Sequence, residues 1–532
     1  MKYIFEMLTN EYWWGGTTVD GRICPFDKST TLERNFHEVC SNQTMPLYIS
    51  NKGRCIWSEE AFKVKIRDGK FIIDGNNVAI EQFGSTLKDA YLGAMNKHFS
   101  PTGEILPEEF FKVPQYNTWM HLTYNQNQKD ILDYAEQIIE NGFKPGIFII
   151  DEGWQKDYGV WEFDNAKFDN PKEMVNKLHE MGFIVMLWVV PNIRPDGLTF
   201  VQQTDPRLNP EHYKDMFMRT EEGNVAISSW WNGYSAILDM TKQCDIDFLD
   251  RQLKKLVKEY DIDGFKFDGG NPGNYANHRC INGIPSSTHT AGERNIAWNE
   301  FGSRYKFHEY KDTFKGGGKR VIQRIRDKSH SWDTNGLAEL IPCAILQGIT
   351  GHPFICPDMI GSGAWIDKAT GTNVDQELFV RMAQCSTFFP MMQFSWAPWE
   401  ALSEEYLNIV KESARLHDKF ADTIITLVND AYKTGEPILR NLEYNYPNEG
   451  YEKINDIFML GENILVAPVT QKGQTVKTIP LPKGIWKSSD GQIYEGGKEY
   501  HIEVTINSIP YFTKSDKPKL FLGGNHEKYC RN

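Results

Sequence analysis

The 532-residue chain holds no uninterrupted apolar stretch of about 18 residues, the length at which a segment reads as a membrane-spanning helix. Its first residues, Met1-Lys-Tyr-Ile-Phe-Glu-Met-Leu, break a short apolar patch at Glu6 and offer neither an h-region nor a cleavage site. The nine cysteines form no CxxC pair and are odd in number, which argues against a disulfide framework or a zinc site and for free thiols in a reducing compartment. Together these features set the expectation of a cytoplasmic protein without membrane contact. The 13 histidines show no HxH or HExxH spacing, so the signature of a metal-dependent hydrolase is missing and no metal is expected. Basic runs are absent too, and the formal net charge is −13, a poor match to the phosphates of nucleic acid. Neither internal repeats nor a low-complexity linker interrupt the chain. Asn42-Gln-Thr44 fits a glycosylation sequon, a triplet that chance supplies in most chains of this length.

Aromatic residues, by contrast, are plentiful at 13 %, and most of the 15 tryptophans fall between residues 111 and 400. Flat apolar faces are what sugar rings stack on, although core packing explains most tryptophans. The chain is long enough for several domains and one large core. Residues 1–110 read as an N-terminal β-sandwich domain. Short alternating pieces (Pro46-Leu-Tyr-Ile-Ser50, Phe62-Lys-Val-Lys-Ile66, Lys70-Phe-Ile-Ile-Asp74) are separated there by turn signals such as Asn51-Lys-Gly53. Residues 111–429 alternate strand and helix. Strands are expected at 117–123, 146–151, 184–190 and 264–267, with helices near 128–142, 171–181 and 245–260. Arg320–Ile325 reads as a further strand and 337–347 as a helix kinked at Pro342. This is the pattern of a (β/α)8 TIM barrel, an α/β fold, with an aromatic-rich insertion near 195–240. Residues 430–532 return to strands (453–460, 464–468, 476–481) and read as a small C-terminal β domain.

Within the barrel, Asp263-Gly-Phe-Lys-Phe-Asp-Gly-Gly270 carries the strongest chemical signal. An amphipathic helix feeds a short apolar strand that delivers Asp268 onto two glycines, the place where such barrels present catalytic groups. Strand side chains alternate, so Lys266 and Asp268 point into one cavity and the ammonium favours an ionised carboxylate, as a nucleophile requires. A helix-capping aspartate is the plainer reading of the same residues.

Placed in order, these motifs resemble glycoside hydrolase family 31, and most the branch of the myogenesis-regulating glycosidase and its bacterial relatives. They are Tyr12-Trp-Trp-Gly-Gly16, Tyr116-Asn-Thr-Trp119, Ile149-Ile-Asp-Glu-Gly-Trp154, the Asp268 segment, Asp327-Lys-Ser-His-Ser-Trp332, Cys356-Pro-Asp-Met-Ile-Gly361 and Phe458-Met-Leu-Gly-Glu-Asn463. The resemblance implies a retaining exo-α-glycosidase without metal or cofactor, acting on a small oligosaccharide or glycoside. It puts Asp268 at the nucleophile position, with Lys266 matching the lysine of a Lys-x-Asp signature. Asp151 would bind outer hydroxyls of the sugar in the −1 subsite. Trp154, Trp188 and Trp332 join the substrate-binding set, Arg324 would grip the sugar 2-OH or a nearby acid, and Asp358 would be a further subsite carboxylate. Two departures bear on specificity. Asn271 stands where relatives often have glutamate, and Gln393-Phe-Ser-Trp396 replaces the common Arg-Asn-His-Asn. Because that branch resembles α-galactosidases and the usual α-glucosidase contact motif is missing, α-galactosidase-like specificity is expected ahead of α-glucosidase or α-xylosidase. A catalytically silent carbohydrate-binding protein is the alternative from another class.

Retaining hydrolysis needs a second carboxylate, acid then base, about 5–5.5 Å from the nucleophile. Asp333 is the expected acid/base, since it follows a strand end and lies beside Trp332, whose ring would desolvate it. Asp327 is the competitor, its plainer role being a pair with Lys328 or Arg326.

Overall fold

The computed structural model describes residues 1–38 and 42–515. The strands of the central sheet are β1 (Gln115–Asn117), β2 (Ile147–Ile150), β3 (Ile184–Val189), β4 (Gly264–Phe267), β5 (Phe307–Tyr310), β6 (Ile322–Arg324), β7 (Ile355–Cys356), β8 (Met359–Ile360) and β9 (Gln393–Phe394). They pair in the order β7-β6-β5-β4-β3-β2-β1-β9-β8, in parallel at every step. Only Pro357-Asp358 separates β7 from β8, the two ends of that order, so the chain itself closes the sheet into a barrel. Helices such as Gln128–Glu140, Pro171–Glu180 and Gln243–Tyr260 pack outside it. Each turns an apolar stripe inward, with Phe248, Leu249, Leu253 and Leu256 buried on the last. Strands β2, β3 and β4 are buried on both faces, which is why they read, Lys266 apart, as nearly continuous apolar runs.

Ahead of the barrel, two four-stranded antiparallel sheets enclose a core of Trp13, Phe26, Tyr48, Phe62 and Phe71. A helix, Leu87–His98, follows them that alternation did not suggest; Thr86 and Asp89 form its capping box. After the barrel, a six-stranded sheet and a two-stranded ribbon (Val476–Leu481 with Lys498–Glu503) form a further β layer around Trp486 and Phe512. The insertion contains a short helix, Leu198–Thr204, and a hairpin, Ile227–Trp230 with Gly233–Ile237, that lies over the barrel mouth.

The strands expected at Arg320–Ile325 and 464–468 form at Ile322–Arg324 and Ile464–Val466, and two others come out much shorter. The one expected at 117–123 stops at Asn117, because the Asn117 side chain accepts the Trp119 backbone N–H (2.7 Å) and folds the chain into a helical turn, Trp119–Leu122. That expected at 453–460 forms only at Phe458–Leu460. The seven cysteines among the described residues are unpaired, and Cys40 and Cys530 lie outside them. Among the described residues no helix is long and apolar enough to cross a membrane.

Candidate active site

At the C-terminal end of β4 the chain leaves the sheet through two successive left-handed residues, Gly269 (φ +59°) and Gly270 (φ +62°). A Cβ at Gly270 would stand 2.5 Å from the Trp298 ring, so only glycine fits there. This turn fixes both oxygens of Asp268. Oδ1 accepts the Gly269 backbone N–H (2.8 Å) and Oδ2 accepts the Trp188 indole N–H (3.0 Å). Trp188 lies opposite Lys266 in the β3–β4 register, and Lys266 lies opposite Glu309 on β5, so these three side chains form one inward row.

Asp268 is 7 % exposed. Burial by itself pushes its carboxyl up, but the charges of Lys311, Lys266 and Arg324 outweigh it and hold the group below the usual carboxylate range. The arrangement therefore presents an ionised carboxylate with both oxygens oriented.

Asp151, at the end of β2, accepts from Lys266 Nζ (2.6 Å) and Asn117 Nδ2 (2.7 Å), and all three side chains are buried. Lys266 thus bonds Asp151 and acts on Asp268 through its charge. Arg324 is buried as well. It donates to Asp358 (2.6 Å) and Asp327 (3.0 Å) and pairs with Glu309 (3.2 Å). Asp358 takes a left-handed backbone (φ +79°) uncommon for its type, and its other oxygen accepts the Lys328 backbone N–H (2.6 Å). Burial raises its carboxyl to about 6 despite Arg324. Arg324 and Asp358 form the floor of the site, knitting β5, β6 and the β7–β8 break together.

The structure places four residues of the sequence reading differently from expectation. Asp333 is exposed on its turn, and its only hydrogen bonds among the described residues are made by its backbone. The loop after β6 carries it outward, and Trp332 does not desolvate it. Asp327 instead lies near enough for its charge to act on Asp268, and it pairs with Lys311 (2.8 Å) and Arg324 rather than with Lys328 or Arg326. Burial would raise the Asp327 carboxyl, but Lys311 and Arg324 bring it well below its ordinary value. Trp154 has no surface to offer a sugar: it is 0 % exposed, donates to the Trp188 carbonyl (2.9 Å) and packs on Phe163. Trp332 is half-buried and turns its indole N–H to Asp375 (3.0 Å), an acid that also binds Lys472.

Several site residues carried no assignment from sequence. Lys311 follows β5, a strand whose Phe-His-Glu-Tyr sequence lacks an apolar run; a positive charge just past a barrel strand was the available signal. Burial opposes its charge, and Asp327 and Asp268 restore it. Asn42 and Gln43, from the N-terminal β region, each donate to the Lys311 and Arg324 carbonyls (3.0–3.2 Å), so the Asn42 sequon is buried against the barrel. Gln393, from the segment that replaces the usual contact motif, donates to Glu309 (3.1 Å) beneath the site. Glu152 follows Asp151 and accepts from Tyr158, Trp231 and Asn232.

Comparison with known proteins follows the same lines. The model of the glycosyl hydrolases family 31 TIM-barrel domain matches residues 112–428, and that of the family 31 C-terminal domain matches residues 435–517. Myogenesis-regulating glycosidase of Mus musculus is 28 % identical over 444 residues, covering 81 % of this chain and 60 % of that protein. Alpha-glucosidase 2 of Bacillus thermoamyloliquefaciens is 25 % identical over 418 residues, covering 73 % and 51 %. The chain thus spans between half and three-fifths of the length of these relatives. A Flavobacterium johnsoniae GH31 dextranase complexed with glucose shares the fold at a TM-score of 0.80 and 19 % identity, over 96 % of this chain and 66 % of that one.

Proposed function

The chain belongs to glycosyl hydrolase family 31, and from that premise we propose that it is a retaining exo-α-glycosidase with Asp268 as nucleophile and Asp327 as acid/base. The observation that carries this reading is the ionised Asp268 carboxylate, fixed by the Trp188 and Gly269 N–H groups, with a second carboxylate, Asp327, bonded to the same Lys311 whose charge acts on Asp268. In the first step an Asp268 oxygen bonds to the anomeric carbon as the glycosidic C–O bond breaks, and the departing oxygen takes the Asp327 proton. In the second step Asp327 accepts a proton from water, whose oxygen bonds to the anomeric carbon and releases Asp268. Two inversions at one carbon leave the α configuration in the product.

Asp327 is 34 % exposed on its side chain, which suits a group that exchanges protons with water. Lys311 and Arg324 favour its ionised form, the form the second step uses. The protonated form needed by the first step grows as pH falls, so a substrate with a poor leaving group should be cleaved best at acidic pH.

Asp151 and Lys266 form the wall for the outer hydroxyls of the sugar. One relative is named an α-glucosidase and the dextranase structure holds glucose, whereas the α-galactoside preference rests on the branch resemblance and the missing contact motif. We therefore rank an α-glucoside first, with α-galactoside and α-xyloside behind it. A panel of aryl α-glycosides (glucoside, galactoside, xyloside, N-acetylgalactosaminide) tests the reading, with the anomer formed first followed by NMR. Turnover of one member with α product first is the expected result. No turnover of any member would leave the catalytically silent binding protein.

A further inference from the structure

Asp327 stands near the start of the long loop after β6, so whatever fixes that loop bears on the acid/base. Two of the loop's side chains close on a single residue outside it. Trp332 donates its indole N–H to Asp375 Oδ2 (3.0 Å), and His330 Nε2 accepts the Asp375 backbone N–H (2.8 Å). With Nε2 accepting, the His330 proton sits on Nδ1, which donates to the Gly361 carbonyl (2.6 Å). Asp375 therefore meets the loop at two points, three and five residues beyond Asp327.

Asp375 is itself held from the other side. Its Oδ1 accepts the Leu378 backbone N–H (3.2 Å) as the N-cap of the helix Gln376–Ser386, and its Oδ2 also accepts Lys472 Nζ (2.7 Å) from a turn of the C-terminal β layer. Gly473, the next residue of that turn, donates its backbone N–H to Glu377 (3.0 Å). Farther along the same helix, Arg381 donates to the Thr505 carbonyl (3.0 Å) and Gln384 to that of Ile506 (2.7 Å). The helix is thus docked on the C-terminal layer, and its cap reaches the acid/base loop. Burial by itself would raise the Asp375 carboxyl, but Lys472, Trp332 and the Leu378 N–H bring it below its ordinary value. It is ionised near neutral pH, and its hydrogen bonds are of the stronger, charge-assisted kind.

Lys311 and Arg324 attract the Asp327 carboxylate, yet attraction between charges sets distance better than direction. Hydrogen bonds to Trp332 and His330 are directional and fix the path of the backbone. A displacement of about 1 Å at a catalytic group costs on the order of 10²-fold, so that path matters. Asp268 takes its bonds from Trp188 on β3 and from its own turn, and owes nothing to this arrangement. We propose that Asp375 is a positioning residue for the acid/base, holding the loop that carries Asp327 through Trp332 and His330, and that Lys472 passes this hold on from the C-terminal β layer. The assignment rests on the reading of Asp327 above. It gives the C-terminal layer a part in proton transfer and none in nucleophilic attack.

The test compares a dinitrophenyl glycoside with a disaccharide of the same sugar, isomaltose or melibiose as the aryl glycoside panel decides. Dinitrophenolate departs without a proton, whereas a sugar oxygen needs one. For Asp375→Ala, the loss in kcat/KM on the disaccharide should exceed that on the dinitrophenyl glycoside by about tenfold or more. Trp332→Phe, which keeps a ring and loses the N–H, should show the same selectivity. Lys472→Ala should show a smaller one, about threefold, restored by Lys472→Arg. Combined with Asp327→Ala, none of these changes should add to the selective loss, because each acts through that carboxylate. Thermal unfolding reports whether Asp375→Ala folds, and Lys472, 65 % exposed on its side chain, keeps the experiment decisive if it does not. Equal losses on both substrates in the Trp332 and Lys472 variants, or a selective loss that persists without Asp327, overturn the assignment while the glycosidase reading stands. Equal losses on both substrates in Asp327→Ala itself overturn the acid/base reading and this assignment together.

Discussion

The loops after β4 and β6 each supply one carboxylate to the site, and they do so in opposite ways. Asp268 follows its strand directly, and the Gly269–Gly270 turn and Trp188 leave its oxygens one orientation. Asp327 stands three residues past Arg324 on a long loop, part-exposed, and its position depends on charge partners from β5 and β6. A nucleophile must be aimed at one carbon, so rigid placement serves it. An acid/base must exchange protons with solvent and both substrates' oxygens, so a looser, wetter position serves it better.

Substitutions can break this contrast. Asp268→Ala should have the largest effect, a loss on the order of 10⁴-fold or more in kcat even on an activated aryl glycoside, with circular dichroism unchanged. Residual activity near wild type would place the nucleophile elsewhere. Asp327→Ala should cost roughly 10²–10⁴-fold on a disaccharide but far less on a dinitrophenyl glycoside, whose leaving group departs without a proton. Azide should then restore rate and give the α-glycosyl azide. A uniform loss without azide rescue would count against Asp327.

Lys311→Met should have a smaller and pH-dependent effect. Lys311 lowers both Asp268 and Asp327, so its removal raises both carboxyls. The acid limb of kcat/KM, which reports ionised nucleophile, should move to higher pH, and activity on a disaccharide near neutrality should depend less on acidification. An acid limb that stays in place would show that Lys311 does not act on Asp268. Asp333→Ala should change least, with activity within about twofold and stability within roughly ±0.5 kcal/mol, as for an exposed side chain with no partner among the described residues. A large selective loss on disaccharides in this variant would restore it as acid/base.

The same contrast explains why one proposed catalytic position was legible in sequence and the other was not. Asp268 is announced by its neighbours, since apolar residues, a strand-end acid and two glycines are adjacent in the chain. Choosing between Asp327 and Asp333 needed the path of the loop, which local pattern does not encode. Asp333 lies beside Trp332 in sequence, yet Trp332 turns to Asp375, a partner more than forty residues away in the chain. Trp154 failed for a related reason: a tryptophan in a strand-end motif can face the site or the helix layer, and here it packs against Phe163 and the Trp188 carbonyl. Lys311, Asn42 and Gln43 were missed because their strand lacks an apolar pattern or because they come from another layer of the molecule.

The sequence by itself determined the barrel, the β layers before and after it, the family and the Asp268 turn. Each of these rests on interactions between near neighbours, namely periodic burial, strand-end acids and glycines that alone tolerate a left-handed backbone. Tertiary structure alone decided which acid's charge reaches Asp268, which cations hold it ionised and which tryptophans are buried. Those outcomes depend on charges and surfaces brought together from β2, β5, β6, the insertion hairpin and the N-terminal sheets. Electrostatic effects follow distance in space and burial, and neither quantity is fixed by spacing along the chain.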